Sequence, residues 1–154
     1  MKRAWCLLIC FCSISCTGNP HGDHPAHPVT GRILVNGQPA NNADITFYHL
    51  GDWGKETIIP MARTEEDGTF ALATYAVKDG APVGEYEVTV TWPAYRHARD
   101  IGPDKLGGKF AKRGASGLKK TIEADTKEVN FELTADLSKV KVDVPTVSGR
   151  RSGR

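Results

Sequence analysis

The stretch Glu85-Tyr86-Glu87-Val88-Thr89-Val90-Thr91 decides the fold class of this chain. Apolar side chains alternate with polar ones along its whole length, which is the period-two pattern of a β-strand with one buried face. Branched and aromatic residues also fit the pleated surface of a sheet. The same alternation recurs on both sides of this stretch, so the sequence predicts an all-β protein.

Turn residues divide the chain around this stretch into further short strands. Asn36-Gly37 is a strong tight-turn signal, because both central positions of such a turn require positive φ. We predict no amphipathic helix and seven strands, at residues 29–35, 43–48, 57–63, 70–74, 85–91, 118–123 and 127–134. Pro60 lacks an amide donor and favours an edge position for the third strand. Short strands at close spacing predict a two-sheet antiparallel β-sandwich over residues 29–134.

The first 15 residues have the features of an export signal. Lys2 and Arg3 form a short cationic region, residues 4–14 are uncharged and mostly apolar, and small Ser13 and Ser15 precede Cys16. This order is typical of a secretory signal peptide. A membrane-spanning helix would need about 20 apolar residues, so the segment is too short for that alternative.

All four cysteines lie within the first 16 residues, so the mature domain has no disulfide and no thiolate metal site. The Ser-Ile-Ser-Cys junction resembles a bacterial lipobox, with Ser13 at the position where leucine is commonest. Cleavage before Cys16 yields either a lipoprotein acylated at this cysteine or a secreted protein with a free thiol. We expect the lipoprotein, because a lone exposed thiol is a liability in an oxidising compartment.

Residues 16–28 are predicted to join this anchor to the domain as an extended tether. The segment after Cys16 contains three prolines, two glycines and no large apolar side chain. It also contains Asp23 and three histidines, which are metal-ligand types: His21, His24 and His27. A Pro-rich segment holds no preformed coordination geometry. We therefore interpret it as a polar spacer and predict no metal centre and no cofactor.

The charge balance excludes a general polyanion binder. The chain has 20 basic and 18 acidic side chains, and removal of Lys2 and Arg3 with the leader leaves 18 of each. Because the mature chain is neutral, we predict that it has no nucleic-acid partner. Residues 135–154 are locally basic, with five basic and two acidic side chains. We interpret them as a flexible solvated tail, the alternative being an electrostatic contact with an anionic partner.

Residues 93–117 form a long irregular stretch, and such loops are usually functional or mobile. Between Asp104 and Glu123 there are six cations and no acid: Lys105, Lys109, Lys112, Arg113, Lys119 and Lys120. Together with Phe110 they define a candidate ligand loop, residues 105–120, suited to an anionic or sugar ligand. In the alternative interpretation the cations keep a mobile loop soluble, while Leu106 and Phe110 hold it to the core.

Four stretches resemble those of small bacterial envelope lipoproteins with a carboxypeptidase regulatory-like domain. They are VTGRILVNGQPA followed by ADITF (residues 29–47), TEEDGTF (64–70), GAPVGEYEVTV (80–90), and DKLGGKF followed by SGL (104–118). The resemblance covers residues 29–133 and the lipobox-like leader. It implies a seven-stranded, transthyretin-like Greek-key sandwich, and it implies no established molecular activity.

Signatures of catalysis are missing from the sequence. There is no nucleophile elbow, phosphate-binding loop, dinucleotide fingerprint or zinc-binding His-Glu pair. We therefore predict a non-catalytic, lipid-anchored β-sandwich module of the bacterial cell envelope, which mediates adhesion, assembly or ligand contact. Its expected partners are the membrane and an envelope protein or anionic glycan. The alternative is a soluble secreted or periplasmic protein that binds an anionic glycan through the 105–120 loop.

Overall fold

The computed structural model describes residues 24–53, 57–97 and 100–140. This part of the chain is all-β, as predicted, and contains ten strands and one 3₁₀ turn. The strands are β1 (Thr30–Val35), β2 (Gln38–Pro39), β3 (Asp44–His49), β4 (Met61–Arg63), β5 (Thr69–Ala71), β6 (Gly84–Thr91), β7 (Arg96–His97), β8 (Asp100–Ile101), β9 (Leu118–Ile122) and β10 (Phe131–Leu133). The 3₁₀ turn is Leu137–Lys139. Within the described ranges, no helix is long and apolar enough to cross a membrane.

Each of the seven predicted segments overlaps one of the longer strands, and four of the segments contain their strand completely. The two-residue strands β2, β7 and β8 were not predicted, because two residues show no periodicity. Asn36 (φ 51°) and Gly37 (φ 78°) form the predicted tight turn between β1 and β2. The strand after Pro60 is short and lies at the edge of its sheet, as its proline indicated.

Two four-stranded sheets enclose one apolar core. The first is built around β1, which pairs with β5 and β2 on one side and with β10 on the other. The second has the order β4-β3-β6-β9 and is antiparallel throughout. The alternating positions of both sheets point into the same core, as predicted: Ile45, Phe47, Phe70, Leu72, Tyr86, Val88, Val90, Phe131 and Leu133.

One pairing differs from the predicted antiparallel arrangement. β1 and β10 are parallel, with Ile33 opposite Phe131 and Val35 opposite Leu133. The alternation of side chains reports which face of a strand is buried and says nothing about the direction of its neighbour. A parallel pair needs a long connection, and the chain between these two strands supplies it.

The N-terminal end of the described chain is fixed to the domain. His27 forms a two-bond antiparallel bridge with Ala81, with N···O distances of 2.9 and 3.0 Å. The ring of His24 stacks on Trp53 with 4.6 Å between the ring centroids. Residues 24–28, which were assigned to the extended tether, therefore include two points of contact with the domain. Proline and glycine content indicated an extended chain, but it does not reveal partners on distant loops.

The start of the predicted C-terminal tail is also attached to the domain. Asn36 exchanges two hydrogen bonds with Ala135, donating from Nδ2 (2.8 Å) and accepting at Oδ1 (3.2 Å). Asp136 then caps the 3₁₀ turn by accepting from the backbone of Ser138. The signal peptide, Cys16, the tether up to residue 23 and the tail from residue 141 lie outside the described residues.

Asp79 closes the loop between β5 and β6. Its carboxylate accepts hydrogen bonds from the backbone N–H groups of Thr74 (2.7 Å), Tyr75 (3.0 Å) and Ala76 (3.0 Å). Burial acts to raise the pKa of the Asp79 carboxyl, but the backbone donors outweigh burial. The pKa therefore lies below its ordinary value of 3.8.

Replacing this carboxylate should destabilise the domain in a pH-dependent way. Because the pKa of Asp79 is depressed in the folded state, its contribution is present above the ordinary pKa of 3.8 and is lost as pH falls through the folded pKa. We expect Asp79→Ala to lower the free energy of unfolding by about 1–3 kcal/mol at pH 7, and by less at pH 3. Urea titrations at both pH values would measure this. Asp125→Ala, at an exposed turn, is the control, and an Asp79→Ala effect equal at both pH values would contradict the expectation.

Candidate functional site

The start of the candidate ligand loop is locked onto the end of β6 by Asp104. Its Oδ1 accepts from the backbone N–H groups of Trp92 (2.8 Å) and Leu106 (3.0 Å), and its Oδ2 accepts from that of Gly108 (2.9 Å). The Lys105 N–H donates to the Trp92 carbonyl at 2.8 Å. Asp104 thus satisfies three backbone donors and gives this part of the loop a defined shape.

The second half of the loop covers the outer face of β6. Glu87, although it alternates with buried Tyr86 and Val88, is only 8% exposed. Its Oε1 accepts hydrogen bonds from the Gly114 backbone N–H (2.7 Å) and the Ser116 hydroxyl (3.4 Å). A buried carboxylate needs such partners. β6 is therefore covered on both faces at this point, which its alternating pattern did not indicate.

The cations of the loop are spread over the molecule. Lys105 Nζ lies 4.2 Å from the centroid of the Trp92 ring, just beyond the end of β6. The Arg113 guanidinium lies 5.4 Å from the ring of Tyr48, near the other end of the β3–β6 pair. Burial lowers the pKa of the Lys105 ammonium. The two cations are at opposite ends of this strand pair and form no common site.

Two further cations cap apolar surface near β10. Lys109 Nζ donates to the Thr134 carbonyl at 3.1 Å and lies 4.9 Å from the Phe110 ring. Lys120 Nζ lies 5.2 Å from the ring of Phe131, so it spans from β9 to β10. Phe110 is 7% exposed and belongs to the core, so it packs instead of presenting a face to a ligand. Of the predicted contact residues, Phe110 therefore presents little accessible surface.

The remaining loop cations, Lys112 and Lys119, are exposed. Lys119 lies opposite Glu87 in the β6–β9 register. Among the described residues, none of the six loop cations forms an ion pair. Leu106 and Phe110 thus hold the loop to the core, and its cations have no single focus among the described residues.

A second charged cluster, which the sequence analysis missed, lies at the start of β3. Asp44 Oδ1 accepts from Nε of Arg63 at 3.0 Å, and Oδ2 accepts from Nη2 of Arg96. Arg63 is directly opposite Asp44 in the β3–β4 register. Arg96 comes from β7 and is the more buried partner, with a side chain 19% exposed. We call this arrangement the Arg63–Asp44–Arg96 cluster.

An aromatic stack occupies the other end of β3. Trp53 stacks with two imidazoles, at 3.7 Å from the ring centroid of His49 and 4.6 Å from that of His24. The Tyr86 ring contacts Trp53 edge-on, and burial raises the pKa of its phenol. The indole therefore packs against three rings of the protein itself.

Metal-ligand residues do not converge in the part of the chain that the structure describes. No group of three or more His, Cys, Asp or Glu side chains is close enough there to hold a metal ion. His24 stacks on Trp53 and His27 is bridged to Ala81, whereas His21 and Asp23 lie outside the described residues.

No family model, no curated protein and no solved structure matches this chain.

Proposed function

We propose that this chain is a non-catalytic β-sandwich module, lipid-anchored to the bacterial cell envelope through Cys16, that mediates adhesion, assembly or ligand contact. The leader carries this proposal: a cationic start, an apolar stretch of 11 residues and a lipobox-like junction at Cys16. The fixed position of His24 adds a geometric consequence. Eight residue steps separate Cys16 from His24, so an extended chain spans at most about 28 Å at roughly 3.5 Å per residue.

This short reach would hold the His24–Trp53 end of the domain close to the membrane. The end of β3 that carries Asp44 then lies farther away along the strand. Contact with partners in the envelope is accordingly assigned to the surfaces away from the aromatic stack. We also assign the domain the finer architecture of a seven-stranded, transthyretin-like Greek-key sandwich. β10 is the last strand of the domain and β1 is the first, and their pairing in one sheet supports this assignment.

The use of carboxylates in the described residues supports a non-catalytic role. Asp79 and Asp104 each accept three backbone hydrogen bonds, and Glu87 accepts one from a backbone N–H and one from a serine hydroxyl. These groups therefore hold loops in place. The soluble alternative, a secreted or periplasmic protein that binds an anionic glycan on the 105–120 loop, has weaker support because the loop cations are dispersed.

The anchor is tested by Cys16→Ser. We expect the unaltered protein to fractionate with membranes and the variant to be released, because a diacylglycerol on Cys16 supplies the hydrophobic attachment. Mass spectrometry of the mature N-terminus should show the lipid on Cys16. Cys12→Ser, inside the apolar part of the leader, is the matched control and should leave anchoring intact. An unmodified Cys16 at the mature N-terminus would contradict the proposal and favour the secreted protein.

A further inference from the structure

The Arg63–Asp44–Arg96 cluster and the aromatic stack occupy opposite ends of one strand. β3 begins at Asp44 and ends at His49, whose ring stacks on Trp53. Because His24 is fixed on the same indole, the chain enters the domain at the stack end. The arginine cluster therefore lies at the end of the sheet remote from the point of attachment.

The cluster has more positive charge and more hydrogen-bond donors than its own acceptors can satisfy. Two guanidinium groups share one carboxylate, and each guanidinium has five N–H donors. Arg96 also donates to the Asn42 carbonyl at 3.5 Å, yet its Nε is buried and has no hydrogen-bond partner among the described residues. Buried N–H donors are almost always paired. Among the described residues, no acceptor is therefore supplied to this N–H of Arg96.

The surrounding residues hold the two arginines in place. Arg63 is set by the β3–β4 register, and Asp44 fixes both side chains through its two oxygens. The neighbouring turn is fixed by Trp92, whose indole N–H donates to the Asn41 carbonyl at 2.8 Å. A planar guanidinium already held in position matches the oxygens of phosphate, sulfate or carboxylate groups.

We propose that Arg63 and Arg96, which both pair with Asp44, form a binding site for an oxyanion, namely a phosphate, sulfate or carboxylate group of a soluble ligand. Such a group would neutralise the excess positive charge and supply acceptors to both guanidiniums. Its assignment to a soluble ligand, instead of a headgroup of the anchoring membrane, rests on the proposed attachment through Cys16. The site itself does not depend on that attachment.

The test uses full-length protein that carries Cys16→Ser. Titration calorimetry at low and high chloride measures its affinity for inorganic phosphate and for a sulfated dextran. We expect saturable binding that weakens as chloride screens the site. Arg63→Gln and Arg96→Gln should each reduce the affinity tenfold or more. Arg32→Gln is the matched control, because Arg32 pairs with the single carboxylate of Asp67 at 3.6 Å, and it should leave the affinity unchanged.

Two results would overturn the site: no saturable binding at low chloride, or an equal loss of affinity in Arg32→Gln. Arg63 is the decisive position if Arg96→Gln fails to fold, because its side chain is 55% exposed and its loss keeps the Arg96–Asp44 pair. A separate arm uses acylated protein inserted in vesicles with and without phosphatidylglycerol, and inorganic phosphate should bind equally well in both. Loss of phosphate binding only in the phosphatidylglycerol vesicles would overturn the soluble source while keeping the oxyanion site. The titrations with Cys16→Ser protein do not depend on whether Cys16 is acylated.

Discussion

Val88→Asp is expected to abolish cooperative folding of the domain at 25 °C. Val88 is fully buried in β6, opposite Phe47 on β3 and Leu118 on β9. Aspartate at this position would place a carboxylate without partners in the apolar core, at a cost of several kcal/mol. Since small domains are stable by only about 5–15 kcal/mol, the loss is comparable with the whole stability. Circular dichroism and a urea titration would show it.

Val77→Asp is the matched control, because it makes the same chemical change at a side chain that is 87% exposed. It should change the free energy of unfolding by no more than about 0.5 kcal/mol. If Val88→Asp unfolded cooperatively at the same urea concentration as the unaltered protein, the inward orientation of Val88 on β6 would be wrong. The core shared by the two sheets would then be wrong as well.

Gly80→Ala is expected to detach the N-terminal segment from the domain. A Cβ at this position would lie 1.6 Å from the carbonyl oxygen of His27, so the His27–Ala81 bridge must open. Gly80 also has φ +96°, which disfavours alanine. With two hydrogen bonds lost, we expect a destabilisation at least about 2 kcal/mol larger than that of an unhindered glycine replacement. Amide exchange at His27 and Ala81 should become fast.

Gly37→Ala separates the steric effect from the effect of φ. Gly37 has a similar positive φ of +78°, but a Cβ there meets nothing within 4 Å. It should show only the conformational penalty of about 1 kcal/mol. Equal destabilisation by the two variants, with protection of the His27 amide retained in Gly80→Ala, would show that the bridge is not the constraint.

The core was predictable because a strand with one buried face has apolar side chains at every second position of its sequence. Phe47, Val88 and Phe131 alternate with polar neighbours, and all three point into the core. The direction of β10 was not predictable, since a parallel and an antiparallel neighbour bury the same positions of β1. Tight turns were predictable where a residue type requires positive φ, as at Asn36-Gly37.

The charged sites were harder to predict because they depend on how loops fold back. The alternation of Glu87 with apolar neighbours is typical of a solvent-exposed side chain. In the structure, however, Gly114 and Ser116 lie over its carboxylate and donate hydrogen bonds to it. The Asp44–Arg63 pair follows from strand register, but the approach of Arg96 depends on the β7–β8 hairpin, whose two-residue strands leave no pattern. The number of loop cations is read directly from the sequence, whereas their distribution over opposite ends of the sheet is a tertiary property.

The position of β1 determines how the domain would carry mechanical load. A pull on the chain ahead of His24 reaches the His24–Trp53 stack first, then the His27–Ala81 bridge, and is then directed along β1. This strand is hydrogen-bonded on both edges, to β5 and β2 on one side and to β10 on the other. Tension along the strand acts across these bonds, so it stretches them together in shear instead of opening them one at a time. The domain is built to resist extension from its N-terminal end.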